Sequence, residues 1–308
     1  MRRRLGSRPP RLDRVTELVA FGHAYPRVLV DNDDFFARCE VPITDDHAAL
    51  VAETRMRRRA WCGPGEDAWT LARDAVAMAL GSGRARADDV DLVVVTSCSA
   101  AELAPRLLQE LGRDDAVGLD LVASHCAGFL RGLELVDAML DNPDYRAGLL
   151  VATDQRSRSV PIERERSALR FIAGDAAGAV VLRKRPANHR VGLVDYLSHN
   201  VADRAAAFDL MLGVGRRLLA RNQLKPDDID WFVPAPAHVL TVESLCDGLR
   251  IARDRLLWSG DVTGDAASAG IPASLSARRL DGIVRPGDLV LSIADGAGSA
   301  VAAALYHA

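Results

Sequence analysis

Five cysteines, Cys39, Cys62, Cys98, Cys126 and Cys246, are spread along the chain, and one of them sits in a setting suited to nucleophilic chemistry. The run Gly118-Leu119-Asp120-Leu121-Val122-Ala123-Ser124-His125-Cys126-Ala127-Gly128-Phe129 reads as a short strand, a tight turn and a helix that continues through Leu133, Val136 and Leu140. Cys126 then lies at or near a helix N-terminus, where unpaired N–H groups and the macrodipole favour a thiolate and lower the thiol pKa. The small neighbours Ala127 and Gly128 let an acyl group approach the backbone, whose N–H groups can hold an oxyanion. The local residues leave a second reading open, an ordinary buried thiol. Cys98, at a strand end in Thr96-Ser97-Cys98-Ser99, competes for the role, while Cys39, Cys62 and Cys246 read as packing. His125 adjoins Cys126, but neighbouring side chains diverge, which makes it a poor partner.

The elements that must position this thiol repeat. Asp88-Asp89-Val90-Asp91-Leu92-Val93-Val94-Val95-Thr96 and Asp227-Asp228-Ile229-Asp230-Trp231-Phe232-Val233-Pro234 each predict a buried strand entered from an acidic turn. Gly174 to Leu182 and Ala294 to Val301 form a second pair, apolar strands entered through small-residue loops. The same order in both halves predicts a duplicated α/β chain, 1–184 and 185–308, with βα layers of parallel strands covered by helices. Helical spacing covers Asp67 to Leu80 and Phe208 to Leu219, and the charged, irregular Glu163 to Arg170 reads as a loop.

A chain of 308 residues that is 49% apolar can bury a large core. Its net charge of -3 argues against a nucleic-acid or anionic-lipid surface. The Arg-rich start lacks the apolar run of a signal peptide, and no stretch is long and apolar enough to span a membrane. An odd number of unpaired cysteines predicts reduced thiols, a cytoplasmic location and no metal.

The segment from Asp120 to Phe129 resembles the active-site signature of the β-ketoacyl-acyl-carrier-protein synthase III family, a branch of the thiolase superfamily. Further matches follow in order: Phe21-Gly22 with Tyr25-Pro26, Met56-Arg57-Arg58-Arg59, Ala173 to Leu182, Asp228 to Pro234 and Gly287-Asp288-Leu289-Val290-Leu291. The resemblance implies a thiolase-like fold with a layered αβαβα core, a homodimer, and Cys126 as the carrier of an acyl group. It also implies an oxyanion hole from the backbone N–H groups of Cys126 and Ala297, with Arg158 near the phosphates of a donor.

Three positions depart from that pattern. The family histidine is expected directly after Val233-Pro234, where this chain has Ala235 and its nearest histidine is His238. The family asparagine corresponds to Asp265, and an aromatic residue of the last glycine-rich loop to Asp295. An asparagine donates to a developing enolate oxygen; an ionised aspartate only accepts and repels it. Members with a Cys-His-Asp set include acyltransferases of antibiotic pathways. The resemblance therefore favours Cys126, His238 and Asp265 passing an acyl group to a hydroxyl or amine of a small acceptor, with His238 as base. The tryptophan that stacks on coenzyme A in several members is replaced by Ala49, which favours an acyl carrier protein over free coenzyme A as donor; no other cofactor is expected. Two alternatives stand: a carbon–carbon bond-forming synthase, and a catalytically silent partner subunit.

Overall fold

A computed structural model describes residues 14–38, 47–122, 125–159, 167–186, 191–201, 206–235, 239–297 and 300–308. Its strands are β1 (Arg14–Ala24), β2 (Val28–Asp31), β3 (Arg58–Trp61), β4 (Val90–Ser97), β5 (Val117–Val122), β6 (Ala147–Gln155), β7 (Asp175–Pro186), β8 (Gly192–Asn200), β9 (Trp231–Phe232), β10 (Leu289–Asp295) and β11 (Ala300–His307). The helices are α1 (Asn32–Arg38), α2 (His47–Thr54), α3 (Ala68–Gly81), α4 (Leu103–Leu111), α5 (Gly128–Met139), α6 (Arg156–Ser159), α7 (Ser167–Ile172), α8 (Ala207–Arg221), α9 (Val239–Leu249), α10 (Gly260–Thr263) and α11 (Gly270–Leu280).

Two sheets carry the architecture, ordered β1-β7-β6-β4-β5 and β8-β11-β10-β9. The first four positions correspond one for one. β1 and β6 both run antiparallel to β7, as β8 and β10 run antiparallel to β11; β6 is parallel to β4 as β10 is to β9. The sheets are thus mixed, where the sequence predicted parallel strands: tight chain reversals, such as that from β10 into β11, add antiparallel members to a parallel centre.

Side-chain alternation assigns the layers. Leu92 and Val94 of β4 face a core shared with Phe129, Leu130, Leu133 and Val136 of α5, Ile271 and Leu275 of α11, and Val290, Ala302 and Ala304 of the second sheet. Val93 and Val95 face α3 on the other side, and Leu289, Leu291 and Ile293 of β10 face α8 and α9. Strands buried on both faces read as continuous apolar runs, and α5 and α11 form the middle of five αβαβα layers.

Local signals hold for the helices. Asp67 caps α3 in a reciprocal box with Thr70. The second acidic turn is a 3-10 segment, Pro226–Asp228, followed by only two strand residues. Ser167–Ile172 is a helix, correcting the loop expected there, because Phe171 and Ile172 are buried against Phe35 and Met56; residues 163–166 lie outside the described residues.

Candidate active site

Cys126 occupies the middle of a 3-10 turn, His125–Ala127, directly ahead of α5. His125 has a φ of 42°, in the left-handed region that non-glycine residues seldom take, so the chain enters α5 abruptly. A Cβ on Gly128 would stand 3.0 Å from the Ser268 Cβ and 3.2 Å from the Thr96 Cβ, so a larger residue there would press the helix start away from both by a few tenths of an ångström.

Asp265 arrives from the other half. Its backbone N–H donates to the Ile172 carbonyl at 2.7 Å, and its carbonyl accepts from Gly174 N–H at 3.0 Å. Gly174 and Gly264 face each other so closely that a Cβ on either would lie within 3.0 Å of backbone. The buried Arg59 guanidinium braces this seam: it donates to the Phe171 carbonyl at 3.1 Å and stacks over Phe171 at 4.5 Å and Phe35 at 4.9 Å.

The Asp265 carboxylate is committed at both oxygens. Oδ1 lies 3.9 Å from Cys126 Sγ, a long S–H···O contact, and accepts from Ala267 N–H at 2.9 Å. Oδ2 is ion-paired with Arg156, the first residue of α6. The site therefore reads Cys126, Asp265, Arg156. His238 lies outside the described residues. Ala235, where the resemblance implies a histidine, is buried, and its N–H donates to the Ile293 carbonyl at 2.9 Å, which fixes it beside β10.

Burial pushes the Cys126 thiol up to about 12, with the Arg156 cation pulling it down and Cys98, Asp154 and Asp295 adding to the rise. This runs against the lowered pKa expected from the helix start: the cost of ionising a thiol away from water exceeds what the Arg156 cation returns. With the folded pKa above the ordinary 9.0, the unfolded chain loses its thiol proton first, so this group costs stability as pH rises from about 9 towards 12. Iodoacetamide labelling of Cys126 in the native protein, followed by peptide mass spectrometry, should be roughly a thousandfold slower at pH 8 than for a free thiol, and should keep rising with pH beyond 9. A rate that levels off near pH 8 contradicts the buried, neutral thiol.

Cys98 is bound differently. Its Sγ donates to Asp154 Oδ1 at 3.1 Å, and its N–H to the same oxygen at 2.7 Å. Ser268 supplies Asp154 Oδ2 with N–H at 3.0 Å and O–H at 2.5 Å. Burial and then the Asp154 charge drive the Cys98 thiol well above its ordinary range. Cys98 is a donor in a buried carboxylate knot that ties β4 and β6 to the Ser268 loop. Cys62 is half-buried beside Asp175, Cys246 is fully buried, and Cys39 lies outside the described residues.

Arg158 is exposed on α6 and lies close enough to Cys62 to act on its thiol. Ala297 is exposed in a left-handed turn, φ 55°, between β10 and β11; the 3-10 turn of Cys126 packs against both strands. Asp295, at the end of β10, is near enough to raise the Cys126 pKa. Ala49 is exposed on α2. Arg156 was missed in the sequence. Its signal was an arginine at the first residue of a helix, where the macrodipole disfavours a cation, directly after the buried strand β6.

Residues 119–200 match the family model of 3-oxoacyl-[acyl-carrier-protein] synthase III, and residues 219–308 match the model of its C-terminal part. The chain belongs to the 3-oxoacyl-[acyl-carrier-protein] synthase III family. A β-ketoacyl-[acyl-carrier-protein] synthase III of Methylococcus capsulatus is 27% identical, covering 96% of this chain and 100% of its own length. A 3-oxopimeloyl-[acyl-carrier-protein] synthase of Brucella abortus is 28% identical over 95% of this chain and 98% of its own. The crystal structure of the Pseudomonas aeruginosa 3-oxoacyl-(acyl carrier protein) synthase III superposes with a TM-score of 0.83 at 25% identity, covering 95% of this chain and 98% of that one. The priming β-ketosynthase of the R1128 polyketide pathway has the same fold, with a TM-score of 0.84 at 23% identity, 95% of this chain and 96% of that one. The two synthase III segments contain Cys126, Asp154, Arg156 and Arg158 in the first and Ala235, His238, Asp265 and Ala297 in the second, so the contact between Cys126 and Asp265 joins them. Among the described residues, no helix of this synthase III member is long and apolar enough to cross a membrane.

Proposed function

We propose that this thiolase-type enzyme takes an acyl group from an acyl-carrier-protein or coenzyme A thioester onto Cys126 and passes it to a hydroxyl or amine of a small acceptor, as in secondary metabolism. The observation that carries this reading is the carboxylate of Asp265 beside the sulfur, locked there by Arg156. A carboxylate accepts hydrogen bonds, so it suits the O–H or N–H of an incoming nucleophile and opposes the oxygen of a malonyl-derived enolate. In the first half-reaction the Cys126 sulfur attacks the thioester carbonyl and its proton passes towards Asp265. The oxyanion is assigned to the N–H groups of Cys126 and Ala297, and the donor thiol leaves with the proton. In the second, the acceptor oxygen or nitrogen attacks the acyl-cysteine and its proton returns to the sulfur, with His238 proposed as an additional base and Arg158 as a contact for donor phosphates.

The test is incubation with acyl thioesters and, separately, malonyl-carrier protein, reading mass added at Cys126 and carbon dioxide released. Acylation without decarboxylation is the expected result; decarboxylation with chain extension sinks this reading in favour of condensation. A second reading, a silent partner subunit, is favoured by the burial of Cys126, only 8% exposed, and predicts no adduct at all.

We further propose a homodimer. Among the described residues β5 ends the first sheet with no strand on its outer edge, and Val122 on it is 57% exposed. Light scattering should give twice the chain mass, and Val122→Lys should shift it towards a single chain.

A further inference from the structure

Ala235 leaves a hole. With Trp258, Pro234 and Asp265 it lines a cavity of about 30 Å³. The lining also carries hydroxyls, from Tyr25, Ser259, Thr263 and Ser274. Ser259 Oγ lies 2.9 Å from Ser274 Oγ and 3.4 Å from Thr263 Oγ1, and the Tyr25 phenol, which lines the same cavity, is near enough to both serines to feel them. The lining thus draws on the end of β1, the loop around α10 and the first turns of α11. Such a volume holds one water-sized group. Among the described lining residues there is no cation, so nothing there selects an anion.

We propose that this cavity is the acceptor's hydroxyl site: it seats the single oxygen of a primary alcohol, the O–H donating to Asp265 and the oxygen accepting from the Tyr25, Ser259 and Ser274 cluster. A group that both donates and accepts satisfies the carboxylate and the hydroxyls of the lining, whereas a carbanion or thioether does not. Asp265 is the link to the chemistry, since the same residue touches Cys126 Sγ at 3.9 Å and lines the cavity. When the alcohol oxygen attacks the acyl-cysteine carbonyl, a C–O bond forms and the C–S bond breaks; the hydroxyl proton goes to Asp265 and from there to the Cys126 sulfur. The small side chain at 235 is then a specificity feature, because an imidazole there would fill the space the oxygen needs.

This inference rests on the transfer reading above and deepens it. The experiment loads Cys126 with an acyl thioester and follows loss of the adduct by mass spectrometry, with ethanol, glycerol and methyl glucoside as probe alcohols and water as the reference nucleophile. Tyr25→Phe, Ser274→Ala and Ala235→His are compared with the wild type, each normalised to its own rate of acylation, so that a folding defect lowers both terms together. The expected result is ester formation by the wild type and a tenfold or larger fall in the ratio of alcoholysis to acylation in each variant, largest for Ala235→His. Ester formation with ratios within twofold of wild type overturns the cavity assignment and leaves the transfer reading standing. Acylation with no ester from any alcohol, and decarboxylation in a parallel reaction given malonyl-carrier protein, overturns both.

Discussion

A Cys126→Ser variant should gain no acyl mass on incubation with an acyl thioester, and transfer should fall by roughly three orders of magnitude or more. The hydroxyl keeps the shape of the turn and can still donate to Asp265, so the protein should fold and the loss should be chemical. A serine alcohol ionises far less readily than even a buried thiol, and the charge relief from Arg156 cannot close that gap. Cys98→Ser is the matching control. The Cys98 sulfur serves Asp154 as one donor among several, and a serine hydroxyl can take its place, so the adduct at position 126 should form as before. An adduct that survives Cys126→Ser and vanishes with Cys98→Ser would exchange the two roles.

Much of the helix and strand framework was legible because those elements announce themselves locally, although the helix Ser167–Ile172 did not. The Asp67–Thr70 box opens α3, and the uninterrupted apolar run of β4 belongs to a strand covered on both faces. The repeated acidic turns also pointed to the duplication, and the two sheets order their corresponding strands alike. Strand direction was not legible, since a run of valines has the same pattern in a parallel or antiparallel pair. Cys126 was readable as a nucleophile through its turn and its resemblance, but the state of its thiol was not. Proximity to a helix start is local, whereas the burial that dominates depends on β10, β11 and the Ser268 turn packing against it. Arg156 illustrates the same limit: its partner Asp265 is 109 residues away, and no spacing rule connects them.

Arg156 is also where the largest stability effect is expected. Its side chain is 14% exposed and that of Asp265 7%, so the pair is buried in the sense that matters: each charge is kept out of water because the other is present. Replacing arginine by leucine removes the cation and leaves a carboxylate with one backbone N–H and a thiol as its remaining donors. Breaking a buried pair from one side costs about 3–5 kcal/mol, more than the net worth of the pair itself. Urea unfolding should therefore place Arg156→Leu well below the wild type, while Arg156→Leu combined with Asp265→Leu should recover much of the loss, because no unpaired charge remains. The same single variant removes the Arg156 cation, which opposes the rise of the Cys126 pKa. Alkylation of that thiol at fixed pH should slow further and acylation should slow with it, whereas the double variant, which restores stability, should stay inactive. If Arg156→Leu unfolds within 1 kcal/mol of the wild type by the same urea measurement, too small for the loss of a buried charge partner, water reaches Asp265 and the carboxylate is free to turn towards another base.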